Sequence, residues 1–291
     1  MILITGATGH FGKATIDSLL KKGVPANTIA ALVRDEAKAA DLKAKGIIIR
    51  KGDYNDYASL VKAFTGVDKL LLVSGNELAQ RGEQQVSAVK AATEAGVKHI
   101  LYTSFLRKDE SAQSPIAFVS LSHLSTEAAI KASGIPYTIL QNSLYADVLP
   151  MFMGEKVLQT GIFFPAAEGR TSFATRADMA EATANILTSE GHANKEYAIA
   201  NTVNYSLQDA AAYLSELSGK EITFFSPSQE VYAETLTKAG VPAEYIGLFA
   251  GFSAAIAQGE FDATTADLEK LLGRKPTTLK DYFKATYFLA H

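Results

Sequence analysis

Three glycines near the start of the chain are spaced as in a turn that binds phosphate. They belong to the run Gly6-Ala7-Thr8-Gly9-His10-Phe11-Gly12, which follows an apolar stretch and precedes a helical pattern. The first glycine permits a tight turn, the second lets the backbone approach a pyrophosphate, and the third lets the helix pack closely. The helix start adds free N–H groups and a positive dipole end. The run therefore predicts a dinucleotide site, with a purely structural glycine turn as the alternative.

Arg34 stands where a dinucleotide-binding protein contacts the adenosine ribose. An apolar run at residues 29–33 ends in Arg34 and Asp35, and Arg34 follows Gly12 by 22 residues. An acidic residue at this position accepts a hydrogen bond from the 2′-OH of NAD, whereas an arginine accommodates the 2′-phosphate of NADP. We therefore predict that Arg34 binds the 2′-phosphate of NADPH. Asp35 could contact the ribose instead, but we favour it as the N-cap of the next helix.

The chain lacks the catalytic pair of the short-chain alcohol dehydrogenases. In those enzymes a tyrosine and a lysine four residues later share one helix, and the phenol passes a proton to the substrate. None of the 12 tyrosines here has a lysine at the fourth following position. The helix expected at residues 118–132 instead carries His123 and Glu127, four apart and so on one face. His123 is a candidate proton donor, while a surface His–Glu pair or a packed core histidine are the alternatives that the residues alone favour.

These residues need a scaffold, and the hydropathy pattern indicates one in which strands and helices alternate. Apolar runs predict strands at residues 2–5, 29–33, 47–51, 69–73, 99–103 and 137–140. Helices are predicted between them at residues 11–22, 36–45, 57–64, 80–95 and 118–132. Such alternation predicts an α/β fold with a doubly wound parallel sheet of the Rossmann type and helices on both faces. Ligands of such sheets bind outside the carboxyl ends of the strands.

The residues that follow the strands are therefore the candidate cofactor contacts. Besides the glycine run and Arg34 they are Asp53, Ser74, Gly75, Asn76, Thr103 and Ser104, with Asn142 after the sixth strand. Asp53 could accept a hydrogen bond from the adenine amino group, although a simple turn before a helix explains it equally well. Ser74 and Gly75 leave backbone room for the nicotinamide ribose. Several such loops at one sheet edge strengthen the dinucleotide prediction.

The alternation ends after the sixth predicted strand. Residues 147–171 contain apolar side chains without a regular period, namely Met151, Phe152, Met153, Phe163 and Phe164, with glycines at positions 154 and 161. We predict a cleft loop or lid here, with plain core packing as the alternative. The predicted domains are a Rossmann domain at residues 1–146, to which residues 172–200 return, and a small, mainly helical substrate-side domain at residues 201–291.

Composition excludes several classes of protein. The 291 residues carry a net charge of −3, which gives no electrostatic reason to expect a nucleic acid or an anionic membrane as partner. The absence of cysteine excludes disulfides, thiolate metal sites and cysteine nucleophiles, and we predict no metal. No apolar stretch approaches the length of about 20 residues that spans a bilayer, and no charged leader precedes the first strand. We therefore expect a cytoplasmic protein.

The chain resembles the NmrA-like branch of the atypical short-chain dehydrogenases, and within it the bacterial quinone and triphenylmethane reductases. Besides the glycine run, the motifs that carry this are Leu32-Val33-Arg34, Gly52-Asp53-Tyr54, Gly134-Ile135-Pro136-Tyr137-Thr138, Asn142-Ser143-Leu144-Tyr145 and Thr175-Arg176-Ala177-Asp178. The resemblance implies a Rossmann domain, a small C-terminal domain and a cleft between them, with Arg176 among the cofactor contacts. Related plant benzylic ether reductases have a lysine where this chain has His123, and that departure weakens any expectation of lysine-type base chemistry.

The resemblance and the missing tyrosine–lysine pair together predict a reductase of acceptors that take hydride readily. We expect hydride transfer from NADPH to a quinone or a triphenylmethane-type dye, with a proton from water or from His123. Asn142 and Tyr145 are candidates for orienting the substrate or the nicotinamide, with a strand-end cap and core packing as their alternatives. The competing prediction is a regulator that senses NADP(H) and binds a protein partner, as the namesake of the family does. A homodimer is a further expectation.

Overall fold

The computed structural model describes residues 1–289 of the chain. Its strands are β1 (Ile2–Ile4), β2 (Ile29–Val33), β3 (Ile48–Lys51), β4 (Lys69–Leu72), β5 (His99–Phe105), β6 (Tyr137–Asn142), β7 (Ile162–Phe163), β8 (Arg170–Thr171), β9 (Lys195–Ile199), β10 (Tyr205–Ser206) and β11 (Phe224–Phe225). Seven strands form one sheet in the order β3-β2-β1-β4-β5-β6-β9, and every neighbouring pair in it is parallel. The predicted doubly wound parallel sheet is confirmed.

The helices follow the strands in the expected alternation. They are α1 (His10–Lys21), α2 (Ala40–Ala44), α3 (Tyr57–Phe64), α4 (Arg81–Glu94), α5 (Ala117–Ala132), α6 (Leu149–Met153), α7 (Val157–Thr160), α8 (Arg176–Thr188), α9 (Leu207–Ser218), α10 (Gln229–Lys238), α11 (Ala243–Ala257), α12 (Asp267–Leu272) and α13 (Leu279–Tyr287). Asp35 caps the turn before α2, since its Oδ1 accepts from the Ala37 N–H at 3.0 Å. Among residues 1–289, no helix has the length and apolarity needed to cross a bilayer.

The central strands bury both of their faces. In β1, Leu3 shares a buried cluster with residues of α3, α4 and α5, whereas Ile4 packs with residues of α1 and α8 on the other face. Successive side chains of a strand point to opposite faces, so a short apolar run fills both layers. The strand order reverses at β1, because β2 and β3 lie on one side of it and β4 to β6 on the other. A crevice at the carboxyl ends of the strands is expected at that reversal.

A third buried cluster lies among α6, α9, α11 and α13. Residues 147–171 join it as short elements, α6, α7, β7 and β8, rather than as the irregular loop that the sequence indicated. Phe152, Met153 and Phe164 are buried, whereas Met151 is 48% exposed. This packing agrees with the alternative that residues 147–171 are part of the core. Closure of the segment over a ligand stays a prediction.

Candidate active site

A cleft of about 540 Å³ opens at the carboxyl edge of the sheet, beside the reversal in strand order. The predicted site residues that line it are Gly6, Thr8, Gly9, His10, Phe11, Gly12, Arg34, Asp53, Ser74, Gly75, Asn76, Tyr145 and Arg176. The wall also includes Leu32, Val33, Gly52, Tyr54, Val73, Glu77 and Gln84. The loops that follow β1, β2, β3 and β4 therefore face one another across one space.

The turn between β1 and α1 has the shape that a bound pyrophosphate requires. Gly6 has a φ of +57°, a conformation that favours glycine. A Cβ on Gly12 would lie 2.4 Å from the Gly6 carbonyl oxygen and 2.8 Å from the Ala7 Cα, so a side chain does not fit there. Ala7 is fully buried and does not line the cleft. Because the N-cap of α1 is Gly9, which has no side chain, the first N–H groups of the helix stay open to an anion.

Arg34 lies at the mouth of the cleft. Its side chain is 67% exposed, and its Nη1 lies 3.1 Å from Oε1 of Glu77, on the loop after β4. Gln84 Nε2 donates to the other carboxylate oxygen of Glu77 at 2.9 Å. An anion bound at Arg34 would therefore compete with Glu77. Asp53 lines the same cleft, and its Oδ1 accepts from the Asn55 N–H at 2.9 Å, as the turn interpretation requires.

Two of the predicted cofactor contacts lie behind the cleft wall. Thr103 is buried, and its hydroxyl oxygen accepts from the Ser74 N–H at 2.8 Å. Ser104 is buried as well, and its hydroxyl donates to Glu127. Strand β5 extends to Phe105 instead of ending at residue 103, so both residues still lie within the sheet. Thr103 supports the loop that carries Ser74, and neither side chain lines the cleft.

Tyr145, Arg176 and Asn142 form a group near the end of β6. The Arg176 guanidinium lies 4.6 Å from the centre of the Tyr145 ring, and Asn142 Nδ2 donates to Tyr145 Oη at 3.3 Å. Burial raises the pKa of Tyr145, so its phenol keeps its proton at neutral pH. The buried Oδ1 of Asn142 has no hydrogen-bond partner among residues 1–289. Leaving such an atom unpaired costs about 1–3 kcal/mol, which favours a ligand that brings a donor.

His123 is buried between two aromatic rings of β5. Its Nδ1 lies 2.7 Å from Tyr102 Oη, and its ring stacks on Phe105 with the centroids 5.9 Å apart. The residue is 3% exposed and does not line the nucleotide cleft. Burial, together with the charges of Arg81 and Arg107, lowers the pKa of His123 well below its usual value. The imidazole is therefore neutral at physiological pH.

Glu127 does not pair with His123. It is buried, and its Oε2 lies 2.8 Å from Nη2 of Arg107, whose side chain is 2% exposed. The interpretation as a surface His–Glu pair is therefore wrong. His123 is a packed, buried histidine, as the other alternative describes. Both residues face inward because the shared face of α5 packs against the sheet and not against solvent.

An aromatic cluster adjoins His123. It consists of Phe105, Phe118, Phe152, Phe252 and Phe261. Phe105 meets Phe252 and Phe261 at centroid distances of 6.3 and 5.5 Å. Phe252 also meets Phe118 and Phe152, at 6.1 and 6.0 Å. Phe118 is 41% exposed, so the cluster reaches from the buried imidazole to the surface.

Residues 1–283 match the model of the NmrA-like family. The chain belongs to the NmrA-like family. Quinone oxidoreductase 2 of Escherichia coli (strain K12) is 39% identical over 282 residues, which are 97% of this chain and 96% of that protein. Triphenylmethane reductase of Citrobacter sp., complexed with NADP(H), matches with a TM-score of 0.90 and 40% identity, over 98% of this chain and 99% of its own. The NADPH-dependent quinone oxidoreductase of Escherichia coli, complexed with NADPH, matches with a TM-score of 0.90 and 37% identity, over 99% and 100% of the two chains.

These matches confirm the resemblance that the motifs indicated, and they place the NmrA-like chain beside reductases over its whole length. The polar residues that sequence reasoning missed lie mainly behind the cleft: Glu77, Arg81, Gln85, Tyr102 and Arg107. Arg81 and Gln85 are four apart on α4, a spacing that in the sequence is typical of a solvated helix face. In the fold this face packs on α5, where Arg81 Nη2 donates to the Val119 carbonyl at 2.6 Å. The sequence alone does not distinguish a solvated helix face from one that packs against a neighbouring helix.

Proposed function

We propose that this NmrA-like protein is an NADPH-dependent reductase that transfers a hydride to a quinone or a similar planar, electron-poor acceptor, triphenylmethane-type dyes included. The observation that carries the proposal is the cleft at the reversal of the sheet, where the glycine turn and Arg34 face each other. The names of the Escherichia coli and Citrobacter relatives support the same reaction class.

The residues of the cleft fit NADPH. The open N–H groups of α1 suit a pyrophosphate, and the glycines at positions 6, 9 and 12 leave the space that side chains would fill. Arg34 suits the 2′-phosphate, which it can bind through charge-assisted hydrogen bonds. Asn142 does not line the cleft but contacts Tyr145, which does, and its unpaired Oδ1 suits an amide donor such as the nicotinamide carboxamide. When bound, NADPH supplies the hydride from its reduced nicotinamide ring.

The aromatic cluster is the proposed acceptor surface. Its rings can stack on a planar acceptor, and the packed walls keep water away from it. A quinone that receives a hydride becomes a hydroquinone anion, whose oxygen takes a proton from water. Because His123 is neutral, we propose that it donates a hydrogen bond to the hydride acceptor. We propose that Asn142 and Tyr145 orient the nicotinamide.

Oxidation of NADPH in the presence of a panel of quinones and triphenylmethane dyes tests the proposal. We expect turnover with quinones, followed as loss of NADPH absorbance. Gly12→Val is the control, since its side chain would meet the Gly6 carbonyl and occupy the phosphate turn. Circular dichroism shows whether this variant still folds. Binding of NADPH without oxidation by any quinone or dye would contradict the proposal and favour a regulator that senses NADP(H).

His123→Ala separates a hydrogen-bond donor from an essential acid. We expect kcat to fall by about 10²-fold or less, the lower end of general-acid effects. A loss of about 10⁴-fold with intact NADPH binding would make His123 a true general acid and refute this part of the proposal.

The organisation of the protein follows from the same proposal. We propose that residues 1–146 with residues 172–200 form the unit that holds NADPH, and that residues 201–289 complete the acceptor side. The last two residues of the predicted C-terminal domain, 290 and 291, lie outside the described residues. We also propose a homodimer and a cytoplasmic location, which light scattering and cell fractionation test.

A further inference from the structure

A chain of buried hydrogen bonds leads from the nucleotide cleft to His123. The Gly75 N–H, at the cleft wall, lies 3.2 Å from Gln85 Oε1. Gln85 Nε2 lies 3.0 Å from Tyr102 Oη, which in turn lies 2.7 Å from His123 Nδ1. Gln85 and Tyr102 are fully buried, and His123 is 3% exposed. Three consecutive hydrogen bonds therefore connect the cleft wall to the imidazole through Gln85 and Tyr102.

The Gly75 N–H determines the direction of the hydrogen bonds that Gln85 makes. The Gly75 N–H can only donate, so the Gln85 atom that faces it is the amide oxygen. The amide nitrogen then faces Tyr102 and Thr126. Thr126 gives its own proton to the Ser122 carbonyl at 2.7 Å, which leaves its oxygen as an acceptor for Gln85. Gln85 therefore donates to both hydroxyl oxygens.

The direction continues through Tyr102. Burial raises the pKa of Tyr102, so the phenol keeps its proton. Its oxygen accepts from Gln85, and among residues 1–289 His123 Nδ1 is the acceptor that its proton reaches in good geometry, so a proton that points there leaves no buried donor unpaired. Nδ1 is thus an acceptor, and in a neutral imidazole the proton then sits on Nε2. Among residues 1–289, no group forms a hydrogen bond with Nε2.

We propose that Gln85 and Tyr102 are positioning residues that hold His123 as its neutral Nε2–H tautomer, so that the ring nitrogen left free for a ligand is a fixed hydrogen-bond donor. The assignment of an acceptor oxygen as its ligand rests on the proposed function. Such a donor polarises a carbonyl without giving up its proton, as neutral imidazoles do in some other enzymes. The proton of the hydroquinone comes from water, so no charge accumulates on the buried chain.

The ¹⁵N NMR spectrum of protein labelled in its histidine rings tests the tautomer directly. The His123 signals are assigned by their loss in His123→Gln. We expect Nδ1 to resonate as a bare acceptor nitrogen and Nε2 as a protonated one, without change between pH 8 and pH 6. A proton on Nδ1, or an imidazolium signal in this range, would overturn the proposal.

Two variants locate the cause of the tautomer. Tyr102→Phe removes the donor to Nδ1 and should give a mixture of tautomers. Thr126→Val removes the other acceptor of Gln85 and the hydrogen bond to the Ser122 carbonyl, but no hydrogen bond of His123, and should keep the wild-type spectrum. An unchanged tautomer in Tyr102→Phe would refute the role of Tyr102, and if this variant does not fold, the wild-type spectrum decides alone. The experiment needs no hydride acceptor, so its outcome is separate from that of the turnover assay.

Discussion

Arg34 is the residue on which the choice of cofactor depends at the scale of single side chains. We expect Arg34→Ala to weaken NADPH binding about tenfold or more, because a hydrogen bond to a charged group contributes about 1.5–3 kcal/mol. NADH binding should not change, since NADH lacks the 2′-phosphate. Fluorescence titration gives both Kd values. Lys38→Ala is the matched control, an exposed cation nearby that does not line the cleft. A wild-type protein that binds NADH as tightly as NADPH would show that the assignment is wrong.

Glu77 competes with the 2′-phosphate of NADPH for Arg34. Its carboxylate holds the Arg34 guanidinium at 3.1 Å, and both side chains are well exposed. An exposed ion pair contributes about 0.2–1 kcal/mol, so we expect Glu77→Gln to tighten NADPH binding by up to about fivefold. Titrations at low and high salt check this, because the gain should shrink with screening. If NADH binding tightens equally, Glu77 acts on the cleft in general and not on Arg34.

His123 gives the molecule a calculable sensitivity to acid. Burial lowers its pKa in the folded state from the usual 6.5. As the pH falls through 6.5, the unfolded chain gains a proton that the folded chain does not, so stability is lost below that pH and down to the folded pKa. The loss approaches about 1.4 kcal/mol per pH unit.

Urea unfolding of the wild type and His123→Gln at pH 7.5 and pH 5.5 measures this loss. We expect the free energy of unfolding to fall by about 1 kcal/mol more in the wild type, according to the same linkage. His99 and His192 also have lowered pKa values, but they titrate in both proteins and cancel in the difference. Equal losses would mean that His123 is protonated in the folded state.

At the scale of elements, the strands and helices that are long enough to show a hydropathy period could be predicted from the sequence. The first five strands and the helices between them lie near their predicted bounds. Strand β5 extends two residues beyond its predicted end at residue 103, so Thr103 and Ser104 lie in the sheet and not at the cleft. Residues 147–171 escaped prediction because α6 has five residues and β7 has two, fewer than a hydropathy period needs. Their structure depends on contacts with α9 and α11, which no local pattern encodes.

Hydrogen exchange tests whether this segment closes over the cleft. We expect the amides around Met151, whose side chain is exposed, to gain protection when NADPH binds, since a lid is weakly protected when free. Amides around the fully buried Phe164 should be equally protected with and without NADPH and serve as the internal control. Equal protection across all of residues 147–171 would make the segment ordinary core.

At the scale of the whole molecule, the nucleotide cleft could be predicted and the acceptor surface could not. The cleft follows from strand order and a glycine turn, both of which the alternating pattern indicates. The aromatic cluster joins Phe105 and Phe118 to Phe252, which lies far along the chain on α11. The partner of His123 is Tyr102, 21 residues earlier on a different element. Sequence spacing has no information on such contacts, because they arise only when the helices pack on the sheet.

Hydride transfer from bound NADPH to a quinone can be observed in a single-turnover experiment. Protein in excess binds NADPH that carries hydrogen or deuterium at C4 of the nicotinamide, and the quinone is then added in a stopped-flow instrument. We expect the NADPH absorbance to disappear as hydroquinone forms, and to disappear more slowly with deuterium on the transferred face. NADPH that stays bound and unoxidised after the quinone is added would contradict the proposed hydride transfer.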